Sequence, residues 1–307
     1  MPARVYQPSG KSEPGAIPSL VVVCAVVGAV AGVVEALIAH YVISLFLIFP
    51  LVLGAVVGGF AAKRIAKGKI RAPMAAALAG LVGGFVGQLS VHAVEYYEFR
   101  STVSSKIAGI AAKSGQSPDQ IIDAVLVHET GHAGLRGYLA LQAKQGISIK
   151  DEGESDDKGI KFTGVGAYLL WIVEFLLVMG VAALMAANRA RKPFCESCKR
   201  WYDQNVPVVS GSGDKKDWSV VVQNLERGDF AAAVAARGQV SPKTASTIVL
   251  ERCSQCDSHD PLLDLKVTKA LNTKKPQTST VYRTLLHPDD ARALLAAVEA
   301  TRAKAAS

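Results

Sequence analysis

The chain has 307 residues, half of them hydrophobic, with 34 Lys and Arg against 26 Asp and Glu, a formal net charge of +8. That length allows a membrane part plus one soluble domain. A basic balance suits anionic lipid or nucleic acid, and the lack of a dense Lys/Arg stripe or recognisable nucleic-acid motif argues for lipid and against a specific nucleic-acid partner.

Residues 1–18 are polar, carry Pro2, Pro8, Pro14 and Pro18, and read as a flexible tail. They do not form a signal peptide, because the apolar run behind them is too long for a cleaved segment. From Leu20 to Ala62 the chain is a nearly unbroken run of Val, Ala, Leu, Ile, Gly and Phe, in which only Glu35 and His40 can carry charge. Crossing a bilayer core takes ~20 apolar residues, and the run is about twice that. It therefore predicts two helices, over 19–39 and 42–62, folded back on each other. Glu35, His40 and Tyr41 fall near the turn, and Pro50 bends the second helix. Cys24 reads as a small buried hydrophobe.

Lys63, Arg64, Lys67, Lys69 and Arg71 follow with no acid among them, the mark of a short cytoplasmic loop. A third helix is expected over 73–94. Glycines recur at small-xxx-small spacing in Gly28/Gly32, Gly54/Gly58, Gly80/Gly84 and Gly83/Gly87. In lipid this spacing lets helix backbones approach closely, so a tightly packed bundle is expected.

Residues 95–164 are polar and read as an extramembrane helical segment. Ser117, Pro118 and Gln120 form a helix-start signal of the capping-box type, and the helix is expected to run through Leu141, or to Gly146. Asp151–Asp157 reads as a solvated acidic loop. A fourth span is expected over 165–188, with Tyr168 and Trp171 at an aromatic belt and Arg189, Arg191 and Lys192 at a cytoplasmic end. The two basic flanks agree on four spans in the cytoplasmic (inner) membrane with both termini cytoplasmic.

The remaining residues, 189–307, read as a small cytoplasmic α+β domain of zinc-ribbon-like type. Strands are expected over 247–252, 262–270 and 279–286, and helices over 218–226, 230–236 and 288–300. The fold class is thus a membrane all-α part with a cytoplasmic α+β domain. Trp171, Glu174 and the apolar run after them, then Lys192-Pro193-Phe194-Cys195-Glu196-Ser197-Cys198 and Trp201, resemble a group of uncharacterised multi-span bacterial membrane proteins. Those proteins have Gly-rich N-terminal helices and a tail that opens on a Pro-Phe-Cys segment. The resemblance covers the four spans and the start of the tail, and it implies the architecture and no activity.

Three constellations carry chemistry. Cys195/Cys198 and Cys253/Cys256 are two CxxC turns. Each lets two thiolates face one ion, and together they complete a closed tetrahedral zinc shell, structural rather than catalytic. His128-Glu129-Thr130-Gly131-His132 matches HExxH, which on one continuous helix places two imidazoles on one face with a glutamate to activate water. Against a protease stands the lack of a third ligand, for which only Glu152, Glu154 or Glu174 offer themselves. Finally, Glu174 lies inside the fourth span, with Gln88 and His92 at comparable depth in the third. They form either an interhelical hydrogen-bonded layer or a proton- or ion-handling site.

The reading that follows is a membrane scaffold or regulatory component, with enzymatic activity left open and the balance against it. Its expected partners are the bilayer, another protein on the cytoplasmic domain, and further copies of the chain. The alternatives are an integral membrane metalloprotease and a small ion-coupled transport component.

Overall fold

The computed structural model describes residues 4–41, 48–149, 160–241, 243–256, 260–269 and 276–306. It divides into two compact units, residues 10–190 and residues 191–307 together with 1–9.

The first unit holds four helices long and apolar enough to cross a membrane: α1 (Ala16–Tyr41), α2 (Ile48–Lys67), α3 (Pro73–Ser114) and α6 (Val165–Ala190). Their outward faces are apolar, with Val22, Val30, Leu169 and Leu176 all more than half exposed, while Leu20, Cys24, Val57 and Val178 are buried inside. A bundle that is hydrophobic on the outside is what a lipid solvent requires. The segment Val42–Leu47 and the acidic run Asp151–Asp157 lie outside the described residues.

Glycine decides how these helices meet. A Cβ built on Gly28 would fall 2.1 Å from the Gly83 carbonyl oxygen, and one on Gly32 would fall 2.1 Å from that of Gly87. The Gly28/Gly32 and Gly83/Gly87 pairs of the sequence are therefore two sides of a single α1–α3 crossing. Gly80 and Gly84 form a second face of α3, against Ala182 and Met179 of α6, and Gly54 and Gly58 bring α2 onto Val178 and Met185 of the same helix.

Two expectations are corrected in this unit. Helix α3 does not stop near Val94. It runs for 42 residues, about 63 Å at 1.5 Å per residue, to a left-handed Gly115. The polar residues after Val94 mark the exit from the apolar zone, but no Gly or Pro interrupts them before Gly109, so the helix continues. The N-terminal segment is tied down rather than free. Gly10 donates to the Arg71 carbonyl at 3.0 Å and Arg71 N–H to the Lys11 carbonyl at 2.9 Å, Glu13 pairs with Lys69 at 3.1 Å, and Arg64 donates to Ser19 Oγ. Part of the basic 63–71 stretch is thus engaged by the segment ahead of α1.

Beyond α3 lie α4 (Pro118–Thr130), α5 (Gly134–Gln145) and the antiparallel pair β1 (Ile147–Ile149) and β2 (Ile160–Phe162). Ser117 and Gln120 form the capping box reciprocally, at 3.3 and 2.9 Å. Arg100 of α3 holds Asp119 at 2.7 Å, and Tyr138 of α5 packs on Phe99 with ring centroids 5.0 Å apart, which fastens α4 and α5 to the end of α3.

The second unit begins with the two-residue strands β3 (Phe194–Cys195) and β4 (Arg200–Trp201). It continues with a four-stranded antiparallel sheet in the order β5 (Gln204–Ser212), β6 (Thr244–Arg252), β7 (Leu262–Lys269), β8 (Gln277–Leu285). Helices α7 (Lys215–Arg227), α8 (Phe230–Ala235) and α9 (Pro288–Ala306) cover the sheet. The core between them includes Val208, Val221, Leu225, Ile248, Leu263 and Leu294. Strand β5 is absent from the sequence reading because Pro207 and Gly211 break its pattern; Pro207 is accommodated on an edge strand beside a bulge. Asp264 of β7, fully buried, is held in a fork by Arg283, its cross-strand partner on β8, with both N–O distances 2.6 Å. Arg4 pairs with Leu285 at the open edge of β8, so residues 4–9 belong to this unit, again not to a free tail.

The α1–α3 crossing yields a test. Gly83→Leu should destabilise the helical unit by ~1–3 kcal/mol through overpacking against Cys24 and Val57. Gly59→Ala, where an added Cβ meets nothing within 4 Å, should be neutral. Thermal melts in detergent would read both.

Candidate metal centre

The β3–β4 hairpin builds the first cysteine turn. Phe194 pairs with Trp201 and Cys195 with Arg200, and Lys199 takes a left-handed conformation at φ 51° to bring the chain back. Within the turn the Cys198 backbone N–H points to Cys195 Sγ at 3.4 Å. The N–H of Phe194 donates to the Tyr6 hydroxyl at 3.2 Å, so the N-terminal segment buttresses this turn. The second turn, Cys253 to Cys256, follows directly on the end of β6.

Asp203, between the first turn and β5, joins the two. Its carboxylate accepts from the backbone N–H of Ser254 at 2.9 Å and from the Ser254 hydroxyl at 2.7 Å, and it pairs with Arg200 at 3.1 Å. The Ser254 hydrogen bonds, with help from Arg200, hold this carboxyl below the usual range. Tyr202 donates its hydroxyl to the Asp260 carbonyl at 2.9 Å from the other side. Neither residue has a sequence signal of its own; only the Ser inside the second CxxC hints at a cap for the turn.

The four sulfur atoms all lie within 4.8 Å of one another, and Cys195 and Cys256 are 3.5 Å apart. A disulfide needs about 2.0 Å, so these are free thiols. A tetrahedral ion with metal–sulfur bonds of ~2.3 Å sets its sulfurs ~3.8 Å apart, inside the observed spread. Cys195 and Cys253 are buried and the other two half-buried. With no ion present, hydrogen bonding to the Cys256 sulfur and then burial push the Cys198 thiol up to about 12. Like charges this close repel, so all four sulfurs can be thiolates together only around a cation. The donor set, the spacing and the pinned turns fit a metal ion that uses all four positions.

The HExxH segment is built differently from a zinc-binding helix. Helix α4 ends at Thr130, and Gly131 caps it at φ 78° with its N–H on the Val127 carbonyl. His132 is therefore past the helix end, and the i, i+4 relation that would put it beside His128 is lost. Thr130 reinforces the break, since its hydroxyl bonds the Leu126 carbonyl at 2.7 Å. His128 is 86 % exposed, and Glu129 is held by Lys144 at 2.7 Å, which keeps its carboxyl below the ordinary range. Glu152 and Glu154 lie outside the described residues. Among the described residues only the four cysteines form a cluster of metal-ligating side chains.

Gln88 and His92 on α3 and Glu174 on α6 line one cavity. Among the described residues, Gln88 Oε1 and His92 Nε2 have no hydrogen-bond partner. His92 Nδ1 lies 3.0 Å from Glu95, and its ring stacks on Phe175 at 5.9 Å.

Metal analysis of the purified full chain should find one ion per chain. Cys253→Ser should abolish it and lower the melting temperature, while His128→Ala should leave content and melting unchanged. Compared with known proteins, this chain matches no family model, no curated protein and no solved structure.

Proposed function

We propose that the chain is an integral membrane protein whose C-terminal unit is a cytoplasmic domain stapled by one structural zinc ion. In this reading the domain docks another protein, so that the chain acts as a scaffold or regulatory component rather than as an enzyme. The observation that carries the reading is the convergence of four thiols from two pinned turns. A four-thiolate shell is closed, leaving zinc no open position for water or substrate. Structural zinc supplies ~10–16 kcal/mol of apparent binding energy in small peptides, as much as the ~5–15 kcal/mol net stability of an ordinary domain. Zinc thiolates need reducing surroundings, which agrees with a cytoplasmic side. The basic residues of the 63–71 stretch and Arg189, Arg191 and Lys192 favour the same side.

Two measurements test the proposal. In oriented membranes, cysteine labelling after Lys67→Cys and Lys113→Cys should report opposite sides, with Lys67 and the C-terminus both cytoplasmic; labelling from one side overturns the four-span topology. Crosslinking in native membranes should trap a protein on the wild-type domain, and Cys253→Ser should lose it. A zinc-loaded wild type that traps no protein overturns the docking role.

A further inference from the structure

Gln88, His92, Glu95, Phe99 and Thr102 succeed one another at steps of four, three, four and three along α3, so they share one face of that helix. The face lines a cavity of about 480 Å³, within the range of small-molecule sites. Glu35 of α1, Glu98 of α3 and Glu174 of α6 also line it, and no Lys or Arg does.

Four of the polar side chains lining this space, Glu35, Glu95, Glu98 and Glu174, are carboxylates, which offer acceptors when ionised. Gln88 and His92 are 2 % and 5 % exposed, yet Gln88 Oε1 and His92 Nε2 have no hydrogen-bond partner among the described residues. The other ring nitrogen of His92, Nδ1, sits 3.0 Å from Glu95 Oε2. In the tautomer with its hydrogen on Nδ1, the ring donates to Glu95 and leaves Nε2 as an acceptor. Two buried side chains, each with an unpartnered polar atom, thus join four carboxylates around one space. Buried polar atoms are normally satisfied, and four carboxylates with no basic side chain among the lining residues favour a positively charged donor in this space.

The arrangement also sets the ligand's shape. Among the described residues these carboxylates and His92 do not form a three-ligand cluster of the kind that holds a metal ion. The acceptor-bearing face of α3 instead extends over about 21 Å from Gln88 to Thr102. Trp171, Tyr138 and Phe99 supply aromatic walls, suited to an organic cation. We propose that this cavity binds an organic cation bearing primary ammonium groups, its elongated form favouring a linear polyamine. The same ammonium chemistry is available from an ethanolamine lipid headgroup, and the test separates the two sources.

Full-length protein in maltoside micelles is titrated with spermidine by calorimetry. Delipidated protein is also offered ethanolamine lipid and examined by native mass spectrometry. One saturable site per chain is expected. Glu35→Gln and Glu174→Gln should each raise Kd about tenfold, or ~1.4 kcal/mol, and Glu13→Gln, outside the cavity, should not. Should either core variant melt early without ligand, Glu95→Gln and Glu98→Gln at the more exposed end carry the same expectation. Retention of ethanolamine lipid instead of spermidine, lost in the same variants, supports the ammonium site with lipid as its source. Binding of either probe that all four variants leave unchanged, or retention of neither, overturns the proposal.

Discussion

Helix α3 comes closest to α1 and α6 where its glycines leave out a side chain. Gly83 and Gly87 face α1 and Gly80 and Gly84 face α6; a Cβ would collide with backbone at Gly80, Gly83 and Gly84 and would be tight against the Gly28 carbonyl, at 3.2 Å, at Gly87. In lipid no hydrophobic effect drives helices together, so the association rests on van der Waals contact at close range. That contact is available only to residues that let backbones approach, and a larger residue at Gly83 meets Cys24 and Val57 at 2.8 Å. The helical unit depends on this constraint more than on any single polar bond.

Close packing at the glycines makes the polar cavity a notable exception. Along α3 the glycine stripe ends at Gly87 and the polar stripe begins at Gln88. Beyond Gly87, residues Gln88, His92 and Glu95 of α3 and Trp171 of α6 line a cavity, and the His92 ring packs on Trp171 and Phe175. The change from contact to cavity takes place within one turn of the helix. Further along, α4 and α5 are held to α3 by Arg100, Asp119, Tyr96 and Tyr138, and Tyr138 and Gln142 contribute to the same cavity.

In the C-terminal unit the analogous constraint is the cysteine cluster. The sheet brings the end of β6 beside the start of β5, where Arg252 pairs with Gln204, and so places the second cysteine turn next to the first. Asp203 then fastens them through Ser254 and Arg200, while Tyr6 supports Phe194 from the N-terminal segment. The core of Leu263, Ile248 and Leu294 stabilises the sheet, and the cluster ties down the end that this core does not reach.

Much of this was legible in sequence wherever the signal is local. Runs of some twenty apolar residues announce the four long helices because backbone hydrogen bonds in lipid leave few alternatives. The Ser117–Gln120 capping box and the two CxxC turns depend on neighbours within three residues. What depends on distant partners was not legible. The glycine pairs could be listed, but that Gly28 meets Gly83 while Gly80 meets Ala182 is decided by how the helices cross. HExxH reads as a helical motif until Gly131 takes a left-handed φ that ends the helix inside it, since a glycine can either continue a helix or stop it. Strand β5 is hidden by Pro207 and Gly211 and exists because β6 offers it a ladder. The polar tail of α3 and the anchored residues 4–15 misled for the same reason, because polarity reports contact with water and not the lack of a partner. Glu35 and Glu174 lie far apart in sequence, and only the tertiary fold makes them two walls of one cavity.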